Sequence, residues 1–232
     1  MRYKLALHTA ALLAGLPLFA CEAEEVSAAQ PSRLQATASV PRPGDLRDTA
    51  FALSPGAGWL DLAESPVQPW CGAVLIGPRT VATSSSCVLP GQVLRFGLGA
   101  PGQSQTVPVM AFRKSEPTPD VTLLDLETPF DSALAAPLTE GGEVELRARG
   151  VSVGFVPRGD RSTRWTWEAR VVAQHAGSID VEMDRSKAPT ANCHGDNGAG
   201  IYRNDGSLLG IVVAASGDDA CVDSLRAARV PR

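Results

Sequence analysis

The sequence predicts an all-β fold, a barrel or a sandwich, and three observations lead to this class. Short apolar runs recur through most of the chain, and Gly, Pro, Asn and Asp separate them at a spacing typical of strands. No helical periodicity and no internal repeat follow the N-terminal segment. The 232 residues are 44% hydrophobic, which allows a substantial core in one double unit or in two small domains.

The apolar runs fall into two groups of predicted strands. The first group covers 58–62, 72–76, 93–98, 106–112 and 121–126, and the second covers 143–149, 151–155, 164–174, 179–183, 200–203 and 208–215. Between them, residues 131–142 carry Ala, Pro and Gly-Gly without strand alternation, which suits a linker crossing between two barrels. Residues 204–207, Asn-Asp-Gly-Ser, predict a hairpin turn. We therefore divide the folded part into a first barrel at 49–137 and a second at 138–232.

The N-terminal 20 residues are predicted to be a secretory leader. They begin with the basic residues Arg2 and Lys4, continue as an apolar run, and end in small residues. The run is too short and too interrupted for a membrane span. Residues 18–21, Leu-Phe-Ala-Cys, resemble a bacterial lipobox, so Cys21 is expected to be the mature N-terminus and to carry the lipid anchor. The alternative is ordinary cleavage after Ala20, or further on near 28–29.

Residues 21–48 are predicted to form a flexible tether that starts at the lipidated cysteine. They are rich in Ala, Ser, Gln, Pro and acids and hold few large apolar side chains, so burial cannot offset the entropy of ordering. The expected location is the bacterial cell envelope, at the periplasmic face or the cell surface. The formal net charge of -4 gives no indication of a nucleic-acid-binding surface.

Residues 193–200 read Cys-His-Gly-Asp-Asn-Gly-Ala-Gly. They resemble the C-x-G-D-S-G-G-P loop of trypsin-like serine peptidases, in which the serine is the nucleophile. Asn197 stands at the serine position. An amide side chain cannot supply an attacking alkoxide, so the resemblance extends to the fold more than to the chemistry.

Two further stretches carry the resemblance. Residues 71–88 are similar to C-G-G-S-L-I-S-x-x-x-V-L-T-A-A-H-C-V, and the histidine position, the general base, is Ser86. A seryl hydroxyl cannot accept a proton near neutral pH as imidazole does. Residues 120–126 are similar to D-I-A-L-L-x-L and keep the acid as Asp120. Each motif alone is short, but the three stand in the family's order across about two-thirds of the chain.

The resemblance implies a trypsin-like double six-stranded β-barrel. The sequence departs from the family in that we expect the C-terminal helix to be missing. The backbone N–H groups of Gly195 and Asn197 take the oxyanion-hole positions, and Asp196 lacks the family's amine partner. Four cysteines besides Cys21 allow three pairings in principle. The resemblance selects one, with Cys71 joined to Cys87 and Cys193 to Cys221. The specificity-pocket positions are small or apolar, namely Ala191, Val213, Ala214 and Ala215.

These replacements predict an inactive pseudoprotease that binds a protein or peptide and does not cleave it. One alternative is a hydrolase with unconventional catalytic residues, for which 84–86 are the clustered hydroxyls near the cleft. Another is a purely structural envelope scaffold. Neither His175 nor His194 stands at the base position, and we interpret them as a turn residue and a solvated surface residue. The cysteines lack paired C-x-x-C spacing, so we expect no metal and no cofactor.

Overall fold

The computed structural model describes residues 54–64, 69–99, 101, 106–116, 118–139, 144–158, 161–184, 197–214 and 224–230. Twelve strands in these ranges form two closed barrels of six antiparallel strands. The prediction of a double six-stranded β-barrel is therefore confirmed. Within the same ranges, no helix is long and apolar enough to cross a membrane.

The first barrel takes its strands from the N-terminal half of the described chain. They are β1 Ala57–Leu62, β2 Cys71–Gly77, β3 Thr80–Ser84, β4 Leu94–Leu98, β5 Thr106–Lys114 and β6 Val121–Leu126. Their order around the barrel is β1-β2-β3-β6-β5-β4. Apolar residues of successive strands, such as Leu60, Leu75, Phe96 and Leu124, are fully buried and fill the barrel. This burial of apolar surface is the main force that closes the barrel.

The second barrel repeats the architecture with the C-terminal half. Its strands are β7 Arg149–Arg158, β8 Arg161–His175, β9 Ser178–Asp184, β10 Gly200–Arg203, β11 Leu208–Ala214 and β12 Ser224–Ala228. Their order is β10-β11-β12-β9-β8-β7. The interior contains Trp167, Ile179, Val181, Ile201 and Leu225.

A third apolar cluster joins the two barrels. Val74 and Ala82 of the first barrel pack with Tyr202, Leu208 and Ile211 of the second, and all five are buried. Strand β3 and strand β11 face each other across this cluster. The ends of these two strands therefore come together, and the predicted site residues lie near those ends.

Two strands and one turn differ from the predicted elements. Strand β3 was not predicted, because Val81 enters the first-barrel core while Ala82 enters the inter-barrel cluster, so the strand shows no polar and apolar alternation. Strand β12 was not predicted either, since it is built from small residues beside one Leu and one Arg. The predicted strand at 143–149 is wrong: Ala148 N–H donates to Glu145 O at 3.0 Å, which closes a turn before β7.

The disulfide between Cys71 and Cys87 is formed, as the resemblance implied. It links the start of β2 to the 3-10 turn Ser85–Cys87 that follows β3. Both cysteines are buried in the first-barrel core. Cys193 and Cys221 lie outside the described residues, so their pairing stays a prediction.

Candidate functional site

Ser86 lies at the end of β3, in a 3-10 turn held by its neighbours. The Ser84 side chain caps the turn, accepting from Ser86 N at 3.3 Å, and the Oγ atoms of Ser84 and Ser86 lie 2.8 Å apart. Ser84 is buried, whereas Ser86 is exposed toward solvent. The site thus offers two neutral hydroxyls where proton transfer would need a group that titrates near neutral pH.

Ser84 also reaches across to the second barrel. Its Oγ donates to the carbonyl oxygen of Val213, on β11, at 3.3 Å. The two residues are separated by 129 positions in the chain. This hydrogen bond brings a predicted specificity-pocket residue, Val213, next to the serine cluster.

Asp120 contacts the same turn through its backbone and not through its side chain. Its carbonyl oxygen accepts from Ser85 N at 2.8 Å, while Ser85 Oγ lies 2.8 Å from Pro119 O and 2.9 Å from Thr122 Oγ1. The Asp120 residue is exposed. Within the described chain, its carboxylate makes no hydrogen bond to the serine cluster. It therefore does not hold a side chain in a catalytic orientation.

Asn197 is fixed by backbone contacts from both barrels. Its carbonyl oxygen accepts from Gly72 N at 2.8 Å, and Gly198 N donates to Val212 O at 2.8 Å. Thr83 Oγ1 in turn donates to Gly72 O at 2.8 Å. The peptide that carries Asn197, the predicted nucleophile position, is thus held between β2 and β11, independently of its side chain.

Gly198 is required by this close approach. Its φ is +81°, a left-handed conformation that glycine adopts without steric cost. A Cβ at this position would lie 2.0 Å from Gly72 O and 2.4 Å from Thr83 Oγ1. We name these contacts, formed by Gly72, Thr83, Asn197, Gly198 and Val212, the barrel latch.

The Asn197 side chain places an amide where the family has its nucleophile. Its Oδ1 atom is buried and has no hydrogen-bond partner among the described residues. An amide oxygen is a weak nucleophile and has no proton to lose to a base. The described part of the site therefore has no group for covalent attack at this position.

The structure brings together Ser86, Asp120, Asn197 and Val213, and Ala214 follows as the last residue of β11. The remaining predicted positions lie outside the described residues, namely Cys21, Ala191, Gly195, Asp196 and Ala215, as does His194. Sequence reasoning missed Ser84 as the inter-barrel link and Thr83 as a support for the latch. A contact across 129 positions leaves no local sequence pattern that could have indicated it.

His175 is not available as a substitute base. It is the last residue of strand β8 and pairs with Ser178, so the interpretation as a turn residue was wrong, because the turn begins at the next residue. Its Nε2 lies 2.8 Å from Asp180 Oδ2. Arg226 Nε donates to Asp180 Oδ1 at 3.2 Å. Strand β9, which carries Asp180, is separated from β11 by β12 in the barrel order. His175 is therefore held by a surface hydrogen bond to Asp180, which lies two strands away from the site.

The hydrogen bonds to Asp180 predict a pH-dependent stability. The hydrogen bond from His175, followed by that from Arg226, holds the pKa of Asp180 below its ordinary 3.8. Because the pKa of Asp180 is lower in the folded state than in the unfolded state, its ionised carboxylate stabilises the fold at pH values above the unfolded-state pKa. This stabilisation is lost as the pH falls through the folded-state pKa. We expect Asp180→Asn to lower the urea midpoint at pH 7, with the difference shrinking below about pH 4.

Asp125→Asn is the matched control, because Asp125 makes an exposed ion pair with Arg113 at 2.9 Å. Exposed pairs contribute little, so its urea midpoint should stay close to that of the parent at both pH values. If Asp180→Asn lowered the urea midpoint equally at pH 3 and pH 7, the result would contradict the electrostatic explanation.

No three His, Cys, Asp or Glu side chains of the described ranges come together in a way that could hold a metal ion.

Comparison with known proteins relates the chain to a family. The trypsin family model matches residues 55–224. No curated protein sequence matches the chain.

Three solved structures illustrate the similarity of the fold. Mouse neuropsin, a serine protease, has 16% identity and a TM-score of 0.58, covering 76% of this chain and 90% of its own. Kallikrein-related peptidase 10 in complex with Zn²⁺ has 16% identity and a TM-score of 0.60, with the same coverages. Human heparin binding protein has 20% identity and a TM-score of 0.60, covering 82% of this chain and 90% of its own.

Proposed function

The chain belongs to the trypsin family, and from that premise we propose that it is an inactive member that binds a protein or peptide without cleaving it. The observation that carries the proposal is the pair of replacements in one cleft. Ser86, hydrogen-bonded to Ser84, stands at the base position, and Asn197 stands at the nucleophile position. A serine cannot act as the base and an asparagine cannot act as the nucleophile, and acyl transfer needs both.

What remains of the cleft suits binding. The barrel latch fixes the Asn197 backbone, and the N–H groups of Gly195 and Asn197 are the proposed donors to a ligand carbonyl or carboxylate. Small residues at the pocket positions favour a modest apolar side chain and give no reason to expect a preference for Arg or Lys.

The charge of the chain bears on the class of ligand. One structural neighbour is named for binding heparin, a property of that protein. The present chain carries a formal net charge of -4, and its sequence pI is about 5.4. The negative net charge of the chain would repel a polyanion, so we propose a peptide or protein ligand instead.

Peptide binding can be tested with a pair of matched variants. Ser86 is an exposed serine in the 3-10 turn Ser85–Cys87, and Ser132 is an exposed serine in the 3-10 turn Ser132–Leu134. Fluorescence anisotropy measures the affinity of a labelled peptide library for the full chain carrying Cys21→Ser. We expect Ser86→Trp to fill the cleft and weaken binding about tenfold or more, a loss of about 1.4 kcal/mol.

Ser132→Trp should leave the affinity unchanged, because it adds the same bulk to the same kind of turn away from the cleft. Equal affinity in both variants would place the binding surface elsewhere. No binding to the unaltered cleft by any peptide in the library would favour the structural scaffold over the binding module.

We also propose that the protein is held at the bacterial envelope by a lipid on Cys21. The supporting observation is the lipobox-like sequence 18–21 at the end of an apolar leader. In a bacterial expression host, the parent should partition into the detergent phase after extraction, and Cys21→Ser should move to the aqueous phase. A parent protein found only in the aqueous phase would indicate ordinary cleavage.

A further inference from the structure

Asn197 is the one asparagine of the chain that is followed by a glycine. In such a pair, the backbone nitrogen of the glycine can attack the side-chain amide carbon of the asparagine, because the glycine has no Cβ to stand in the way. Asn197 also belongs to the barrel latch, which holds its backbone from both barrels. The position that lacks the family's nucleophile can therefore still react, with its own backbone as the partner.

The reaction needs no reagent from outside the chain except water. The Gly198 nitrogen gives up its proton to solvent and forms a bond to Asn197 Cγ, which closes a cyclic imide. The bond between Cγ and Nδ2 then breaks, and Nδ2 takes up a proton and leaves as ammonia. Water opens the imide at Cγ, which gives aspartate, or at the backbone carbonyl carbon, which gives isoaspartate.

The barrel latch opposes the first step of this reaction. The peptide group between Asn197 and Gly198 is planar, so its carbonyl and its N–H move together. Its carbonyl oxygen accepts from Gly72 N of the first barrel at 2.8 Å, and its N–H donates to Val212 O of the second barrel at 2.8 Å. The proton that has to leave is therefore engaged, and the peptide group cannot rotate unless one of the barrels releases it.

The environment of the side-chain amide opposes the same step. Attack on Cγ develops negative charge on Asn197 Oδ1, and such a charge needs hydrogen-bond donors. Oδ1 is buried and has no hydrogen-bond partner among the described residues. Within the described part of the site, the charge would therefore develop without a donor, and an uncompensated buried charge is costly.

We propose that Asn197 is a site of spontaneous conversion to aspartate and isoaspartate, and that opening of the barrel latch sets its rate. The folded chain reacts only while the latch is open, as in other reactions that require local unfolding. Isoaspartate lengthens the backbone by a carbon atom, so the hydrogen bonds to Gly72 and Val212 cannot both form again in the same geometry. Either product places a carboxylate beside the neutral hydroxyls of Ser84 and Ser86. The conversion does not depend on peptide binding in the cleft.

Peptide mapping by mass spectrometry measures the conversion. The full chain carrying Cys21→Ser is incubated at neutral pH in the folded state and, separately, unfolded in guanidinium chloride. A synthetic peptide with the sequence of residues 195–201 gives the rate in the absence of a fold. A protease that cleaves before aspartate, but not before isoaspartate, tells the two products apart. We expect the unfolded chain to match the peptide, and the folded chain to convert at least about tenfold more slowly.

Two threonine-to-valine variants test whether the latch is the barrier. Thr83 Oγ1 donates to Gly72 O at 2.8 Å, so Thr83→Val removes a support of the latch. Thr122 is also buried and pairs with Thr83 on the neighbouring strand, but its Oγ1 lies 2.9 Å from Ser85 Oγ, outside the latch. We expect Thr83→Val to raise the conversion rate about two- to tenfold, the effect of one lost hydrogen bond, and Thr122→Val to leave it within about twofold.

Circular dichroism verifies that both variants fold, and the comparison of the folded parent with the free peptide does not depend on either of them. Conversion of the folded parent at the rate of the peptide would overturn the proposal, as would equal rates in the two valine variants. An unfolded chain that stays unconverted would overturn it as well, because the sequence itself would then be unreactive.

Discussion

Gly198→Ala is expected to lower the free energy of unfolding by about 2 to 5 kcal/mol, the sum of a strained backbone and an overpacked contact. The φ of +81° adds a cost for any residue with a Cβ. The new Cβ would lie 2.0 Å from Gly72 O, a backbone atom that cannot rotate away. The substitution should therefore open the barrel latch, and denaturant unfolding monitored by circular dichroism measures the loss.

Gly177→Ala separates the two contributions. Gly177 has a φ of +82°, but its Cβ would meet nothing within 4 Å. This variant should lose only about 1 to 2 kcal/mol, the cost of the left-handed backbone. If both variants lost the same amount, the close approach to Gly72 would contribute nothing to stability, and the latch would not position Asn197.

The second large effect is expected from restoring the base and the nucleophile of the family at positions 86 and 197. We expect Ser86→His with Asn197→Ser to hydrolyse peptides measurably, while each single variant does not, because nucleophile and base act as a unit. Initial rates on a quenched-peptide library measure the gain. The unaltered chain and the two single variants are the controls. A double variant without any gain would show that the cleft has diverged from a catalytic geometry by more than two side chains.

Asp120 gives this experiment a finer readout. Replacing a buried aspartate that orients the catalytic histidine costs about 10⁴-fold in rate. Asp120 is exposed and is joined to the serine turn through its backbone carbonyl. Adding Asp120→Asn to the double variant should therefore change the rate by less than about tenfold, against the 10⁴ expected of an orienting aspartate. A loss of several orders of magnitude would show that the carboxylate turns inward once a histidine is present.

The features that the sequence predicted are those that rest on local patterns or on motifs in a fixed order. The alternating runs predicted most of the strands, and the three motifs predicted the two barrels. The cysteine positions within those motifs predicted the disulfide between Cys71 and Cys87, which the structure contains. Asn197 and Ser86 could be assigned because each stands inside a motif with several matching neighbours.

The features that escaped prediction depend on tertiary contacts. Strand β3 is buried on both faces, between its own barrel and the neighbouring one, so its sequence carries no alternation. Arg147 adopts a φ of 70°, a conformation that β-turns usually reserve for glycine. An arginine gives no indication of such a turn in the sequence, so the strand predicted at 143–149 was wrong. The hydrogen bond from Ser84 to Val213 joins residues far apart in the chain.

A hydrolysis assay of the unaltered site tests most directly the proposal that this cleft binds peptides and does not cleave them. A broad quenched-peptide library is incubated with the full chain carrying Cys21→Ser, beside Ser86→Ala and Asn197→Ala in the same background. We predict no turnover above buffer in any of the three. Turnover that is present in the unaltered cleft and absent in Ser86→Ala would contradict the proposal, because it would identify a hydrolase that uses the serine cluster.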